Sequence, residues 1–204
     1  EHEQRNPMRT TSYGVGLLVA DALRHNCHKM IIGLGGSATS DAGIGMLRAL
    51  IDTFAPEDHF NAIRPLFDNC EVILASDVTN PLYGINGAAH VFAKQKGATS
   101  SMIEALDARA KQFASHTKKA MGFDKSRQPG AGAAGGLGYA FMQFLNAKMQ
   151  SGAELLLHLL QFDKLLAHAD IVITGEGKSD CQTLMGKLPA VIMQHAHQHH
   201  LPTL

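Results

Sequence analysis

The placement of glycine constrains this chain more than any other feature. Its 20 glycines fall in a few clusters. The clusters follow short apolar runs and lead into stretches with helical spacing. Apolar run, glycine-rich turn and helix, repeated, is the pattern of an α/β protein. Three runs read as strands: Lys29 to Leu34 (KMIIGL), which reads as buried, Glu71 to Ala75 (EVILA) and Asp170 to Thr174 (DIVIT). The expected fold class is α/β, a parallel or mixed sheet with helices on both faces. In open sheets of this kind ligands sit outside the carboxyl ends of the strands. The loops after these three strands are therefore expected to converge on one edge and form a site.

Helical spacing marks the segments between them. Met8 to Arg24 has cap candidates at Thr10, Thr11 and Ser12 and an apolar face of Val15, Leu18, Ala22 and Leu23. Ala42 to Leu50 follows, then an abrupt join to a rather polar stretch, Ile51 to Asn69. Ser100 to Ala120 is the clearest helix, with Met102, Ile103, Leu106, Ala110, Phe113 and Ala114 recurring at three and four. Tyr139 to Leu160 reads as helical with a break near Ser151-Gly152, and Leu188 to Gln198 as a last helix. There is no internal repeat.

Of 204 residues, 45% are hydrophobic and 18% charged, which implies a globular chain with a real core. The formal net charge of zero excludes nucleic acid and anionic membrane as expected partners. Cys27, Cys70 and Cys181 form no CxxC pair, so neither a disulfide framework nor a zinc site is expected. With no secretory leader or membrane-length apolar run, the expected location is cytoplasmic. The polar start without an initiator Met, and Leu201 to Leu204 reading as the beginning of a strand, suggest a piece of a longer protein.

Four loops carry candidate chemistry. In Gly33 to Gly43 (GLGGSATSDAG), Gly35 and Gly36 allow backbone amides to approach a phosphate, and Ser37 and Thr39 add hydroxyls. The loop lacks the GK[ST] ending of a P-loop, and the same pattern serves as a tight turn with Asp41 as helix cap. Ala75 to Leu82 (ASDVTNPL) places Asp77 just past a strand end, where it suits a Mg²⁺ ligand or a general base, or an Asx turn before Pro81. Pro129 to Gly138 (PGAGAAGGLG) has five glycines in nine residues, with Gly130, Gly132, Gly135 and Gly136 as candidate anion contacts, or as a tight lead into a helix. Thr174 to Lys187 (TGEGKSDCQTLMGK) gathers Glu176, Lys178, Asp180 and Lys187, the parts that phosphoryl transfer needs. Weaker candidates are Arg9, beside Thr10 and Thr11, for a carboxylate, and the Lys94–Lys96 helix end for an anion. His195, His197, His199 and His200 read as the polar end of a surface helix with no carboxylate arranged around them.

Taken in order, these segments resemble one family. Asn6 to Gly16 (NPMRTTSYGVG), Ile32 to Met46, Ser76 to Gly84, Val91 to Thr99, Pro129 to Gly138 and Ile173 to Lys187 are similar to the bacterial-type glycerate kinases, six motifs over nearly the whole chain. The resemblance implies a two-domain kinase with an interdomain cleft, ATP and Mg²⁺ as cofactors, and D-glycerate as substrate, with 2-phosphoglycerate or 3-phosphoglycerate as product. On this reading Asp77 and Asp180 divide the roles of base and metal ligand, with Lys178 assisting. Gly35, Gly36, Ser37, Thr39, Gly130, Gly132, Gly135, Gly136, Glu176 and Lys187 serve the nucleotide, and Arg9, Thr10 and Asn80 the substrate. The chain would be the central region, most of one domain and part of a second. The family's first strand with its loop and its last strands would be absent, and a stretch would be lost between Leu50 and Ile51. Two other classes fit less: a truncated module that binds a small acid or anion without turnover, and a nicotinamide dehydrogenase, which lacks its GxGxxG and acidic partner.

Overall fold

The computed structural model describes residues 5–55, 62–175 and 188–204. The chain divides into two compact units, Glu1–Met149 and Gln150–Leu204. Among the described residues no helix is long and apolar enough to cross a membrane.

In the first unit β1 (Lys29–Gly33) and β2 (Glu71–Ala75) pair in parallel, Lys29 opposite Glu71 and Gly33 opposite Ala75. A third strand, β3 (Lys148–Gln150), completes the order β1-β2-β3. The central strand is apolar throughout its middle, and Val72, Ile73 and Leu74 are all buried. The edge strand β1 is not buried as expected: Ile31 is 45% exposed, Met30 alone is fully buried and Ile32 partly so.

Helix α1 spans Tyr13–Arg24 and lies on α2, Ile44–Phe54. Gly16 makes the contact possible, because a Cβ there would sit 2.4 Å from the Met46 carbonyl oxygen and 2.6 Å from the Ala49 Cβ. This close approach turns Gly16, Val19 and Ala20 inward and leaves Leu18, expected on the apolar face, 73% exposed. Residues 8–12 are not helical. Ser12 is instead fixed by long-range bonds, donating its backbone N–H (2.7 Å) and hydroxyl (2.8 Å) to Asp41 Oδ2 and accepting from the Met46 amide at 3.0 Å. Helix α2 runs unbroken through the Leu50–Ile51 join, with Leu50 fully buried.

Helix α3 is Ala88–Phe92, and α4, Ser100–Met121, has the expected limits. The Thr99 hydroxyl accepts from the Met102 amide, and left-handed Gly122 closes the C-terminus. Phe113 of α4 meets Tyr139 and Phe144 of α5 (Ala133–Phe144), each at a centroid distance of 5.8 Å. Buried Gln143 of α5 accepts from the Lys125 amide at 2.8 Å and donates to the Phe123 carbonyl at 3.1 Å, pinning the loop after α4. The helix expected from Tyr139 ends at Phe144, earlier than the break expected near Ser151-Gly152. Asn146 takes a left-handed φ of 52°, and the Ala147 amide closes back on the Phe141 carbonyl, a helix-ending turn that releases the chain into β3.

The second unit holds α6 (Gly152–Leu159), α7 (Phe162–Leu166) and α8 (Leu188–Gln198). Ala153, Leu157 and Val191 form one small core, and Leu166, Val172 and Ala196 another. The run DIVIT, expected as the third strand of the sheet, is reduced to a parallel bridge of Val172 with Thr203. It belongs to this unit, where Val172 donates to the Pro202 carbonyl and Leu204 donates back to Val172, both at 2.9 Å.

The histidine end of α8 is not free of carboxylates. His195 Nδ1 lies 2.8 Å from Asp163 Oδ1 of α7, and Nε2 lies 3.1 Å from Glu154 Oε2 of α6. His199 adds a 3.3 Å contact to Asp163. Asp163, more than Glu154, raises the His195 pKa, and His195 lowers that of Asp163. A raised histidine stabilises the fold fully below its unfolded value of about 6.5 and loses that contribution as pH rises through the folded value. The depressed carboxylate loses its share only below about pH 4. The clamp is therefore tightest between about pH 4 and 6.5. Amide exchange in α8 is expected to quicken between pH 6 and pH 8 by more than the intrinsic rate, and His195→Gln to remove the excess. An unchanged excess in the variant would assign it elsewhere.

Candidate active site

Parallel pairing of β1 and β2 brings their carboxyl ends together at one edge. The Leu34 amide donates to the Ala75 carbonyl at 2.9 Å, which extends the pairing into the first loop. That loop turns at left-handed Gly36 and ends on Asp41. Besides Ser12, Asp41 accepts from the Gly43 amide at 3.0 Å and the Gly45 amide at 3.2 Å, so it holds the first turn of α2, although left-handed Gly43, and not Asp41 as expected, occupies the N-cap position. It also ties the segment 11–12 to the loop. Gly45 must be glycine here, since a Cβ would meet the Thr11 hydroxyl at 2.2 Å.

A cleft of about 690 Å³ opens at this edge. Leu34 to Ala38 form one wall, Arg5, Asn6 and Thr10 a second, and Val78, Ala134 and Gly135 a third, with Phe92, Gln95 and Lys96 completing it. Lys96 is only 7% exposed. Its ammonium donates to the Thr39 carbonyl at 2.6 Å and the Ser37 hydroxyl at 3.0 Å. Burial pushes its pKa down to about 8, against a smaller upward pull from Asp41. In sequence Lys96 is one of the weaker candidates. A signal was present: Ala89, Ala93 and Lys96 stand at i, i+4 and i+7, so the buried stripe of α3 runs on to the lysine, while Lys94 is exposed.

The predicted residues fall into three groups. Gly35, Gly36, Ser37, Gly135 and Thr10 line the cleft, and Thr39 meets it through its carbonyl. A Cβ on Gly35 or Gly36 would touch nothing within 4 Å, so both face open space. Thr10 already donates its hydroxyl to the Ala38 carbonyl at 2.9 Å. Asp77 is exposed at the end of β2, next to Val78 of the cleft wall.

A second group is brought elsewhere. Asn80 builds a turn, its amide donating to the Asn86 carbonyl at 2.8 Å, and Arg9 is exposed outside the cleft lining. Of the second glycine loop's candidates Gly135 lines the cleft, while Gly130, Gly132 and Gly136 stand against other parts of the chain. A Cβ at Gly132 would lie 2.3 Å from the Pro81 carbonyl oxygen, and one at Gly136 2.6 Å from Ala42 Cα; one at Gly130 would strike the Met149 side chain at 2.6 Å. Ala134, Gly135 and Gly136 are consecutively left-handed, which delays the regular part of α5 until after Gly136. Glu176, Lys178, Asp180 and Lys187 form the third group and lie outside the described residues.

An α/β sheet with a cleft at its carboxyl edge, floored by a buried lysine, fits an enzyme that handles a small anion. The sequence profile of the glycerate kinase family matches residues 1–204, and the chain belongs to that family. It is 40% identical to the glycerate 2-kinase of Escherichia coli K12 and 39% identical to a glycerate kinase of Halalkalibacterium halodurans. Each alignment covers 99% of this chain and 58% of the relative. A crystal structure of a Salmonella typhimurium LT2 protein assigned as glycerate kinase 2 superposes with a TM-score of 0.81. It is 37% identical, and the match covers 98% of this chain and 58% of that one. The chain thus spans 58% of the length of these relatives.

Proposed function

We propose that this chain is the central part of an ATP-dependent cytoplasmic kinase that phosphorylates D-glycerate. The observation that carries the reading is the cleft itself, in which open glycines and a buried lysine face the carboxyl edge of the sheet. In the reaction the substrate hydroxyl oxygen bonds to the γ-phosphorus as the bridging P–O bond to ADP breaks. The hydroxyl proton passes to a carboxylate, Asp77 or Asp180. The E. coli relative's name favours the C2 hydroxyl, and hence 2-phosphoglycerate over 3-phosphoglycerate. Little covalent chemistry falls to the protein in such a transfer, so positioning and charge stabilisation dominate.

The donor set fits magnesium. Among the described residues no three His, Cys, Asp or Glu side chains cluster as a metal cage, and Mg²⁺ needs only one or two carboxylates beside phosphate oxygens. Asp77, exposed at the strand end, suits that task, with Asp180 as the second candidate. A bound Mg²⁺ would offset charge on the nucleotide oxygens.

A coupled ADP-release assay with ATP, Mg²⁺ and D-glycerate, and L-lactate as a control acid, tests this. Turnover is expected with glycerate only, and phosphorus NMR of the product separates C2 from C3. Tight binding of ATP or glycerate without turnover would favour a nonenzymatic anion-binding module instead.

A further inference from the structure

Lys96 is the only buried Lys or Arg among the described residues, and burying an ammonium is costly unless something answers its charge. Its two acceptors, the Ser37 hydroxyl and the Thr39 carbonyl, are both neutral. Asp41 is the carboxylate that acts on it, but Asp41 is engaged by Ser12, Gly43 and Gly45. An ammonium has three N–H groups, so one remains.

The wall beside it is also rich in donors. None of the amides from Gly35 to Ser40 finds an acceptor among the described residues. The hydroxyls of Thr39 and Ser40 are buried there without a partner. A concave run of amides next to a desolvated cation is a surplus of donors, and its complement is an oxyanion. A planar carboxylate monoanion offers two oxygens in one plane, with about four acceptor sites. A tetrahedral phosphoryl group offers three charged oxygens, each able to accept more than one bond, and matches the arc better.

We propose that Lys96 and the Gly35–Ser40 amides form the receptor for the terminal phosphoryl group of the nucleotide, so that Lys96 touches the group being transferred. The receptor follows from the geometry; naming its ligand rests on the kinase reading above. Lys96 then does the work that sequence motifs alone assigned to Lys178 or Lys187.

Burial sets a pH signature. Burial pushes Lys96 down to about 8 in the free cleft; Asp41 on the β1 loop is the charged group that acts on it, and the always-cationic Arg5 lines the same cleft. A bound phosphoryl dianion holds Lys96 protonated, so above about pH 8 binding must take up a proton and affinity falls as pH rises.

The test is titration calorimetry of ATP, ADP and D-glycerate, each with Mg²⁺, at pH 7 and pH 9. For the wild-type protein ATP affinity is expected to fall about tenfold between the two, ADP affinity much less. Lys96→Met is expected to bind ATP about ten- to a hundredfold more weakly at pH 7, with no pH dependence, while glycerate binding is unchanged. Lys96→Arg should regain part of the affinity and stay flat with pH. Thermal unfolding shows whether the variants fold. If Lys96→Met does not, a wild-type ATP affinity that is flat from pH 7 to 9 overturns the proposal by itself. Folded Lys96→Met with wild-type ATP affinity overturns it too, and leaves the kinase reading standing if glycerate is still turned over. Loss of glycerate binding alone in Lys96→Met would give the receptor to the acid's carboxylate and also overturn it. A wild-type protein that binds neither ATP nor glycerate would remove the kinase reading with it.

Discussion

Gly135→Ala is expected to lower the unfolding temperature of the protein by about 10 °C. Two costs add. Gly135 has φ +69°, where an alanine loses about 1–2 kcal/mol. Its Cβ would also stand 2.0 Å from the Thr39 carbonyl oxygen and 2.9 Å from Ser40 Cα, both backbone atoms. The loops cannot simply part, because the Ala42 amide donates to the Gly135 carbonyl at 3.0 Å and Lys96 holds the Thr39 carbonyl from the other side. Overpacking of this kind costs about 1–3 kcal/mol more. A total of about 2–5 kcal/mol corresponds to roughly 10 °C in a chain of this size. Gly35→Ala is the contrast. No atom lies within 4 Å of a Cβ at Gly35 and its φ is not positive, so thermal unfolding is expected to stay within about 0.5 kcal/mol of wild type. Its added methyl group projects into the cleft, so ATP binding is expected to weaken. Circular dichroism on both variants checks the first difference and calorimetry the second. Equal stability of the two would mean that the 39–42 and 134–136 segments are not packed as described.

The pair also shows why glycine was easier to find than to interpret. Clusters of it marked the sheet edge, and there the first glycine loop, the end of β2 and the start of α5 do meet. From sequence alone, though, a glycine that admits a ligand and one that admits another backbone look alike. Gly35 is the first kind, and Gly132, which approaches the Pro81 carbonyl, is the second. The limits of α4 were legible because caps and periodicity agree there, and α8 also has the expected limits. β3 was not, since it is three residues long and the signal that frees it is a left-handed Asn146 in an otherwise helical pattern. Leu18 was misplaced because side-chain size at Gly16 and Ala20, not hydrophobicity, decides which face of α1 meets α2. Lys96 is only a weak candidate in sequence because a lysine at a helix end is ordinarily solvated. Here Gly97 lets the backbone at Arg5 cross within 2.4 Å of where a Cβ would be, and the lysine is covered.

Asp77→Asn is expected to reduce kcat with glycerate by about a hundredfold or more while leaving the fold intact. The substitution keeps shape and removes charge at an exposed position, where stability changes are small. Loss of a general base costs about 10²–10⁴ in rate. Loss of a metal-holding carboxylate also lowers turnover, but through weaker Mg²⁺ binding. A magnesium titration separates the two. If Asp77 helps to hold the ion, raising Mg²⁺ restores part of the activity of Asp77→Asn and the apparent affinity for the metal falls. If Asp77 takes the hydroxyl proton, excess Mg²⁺ restores nothing, because the defect is in the proton transfer. The same pair of measurements on Asp180→Asn should then give the opposite pattern, since each role needs one carboxylate. Turnover near wild type in both variants would remove both residues from the reaction. The base would then have to be sought among the other groups of the carboxyl edge.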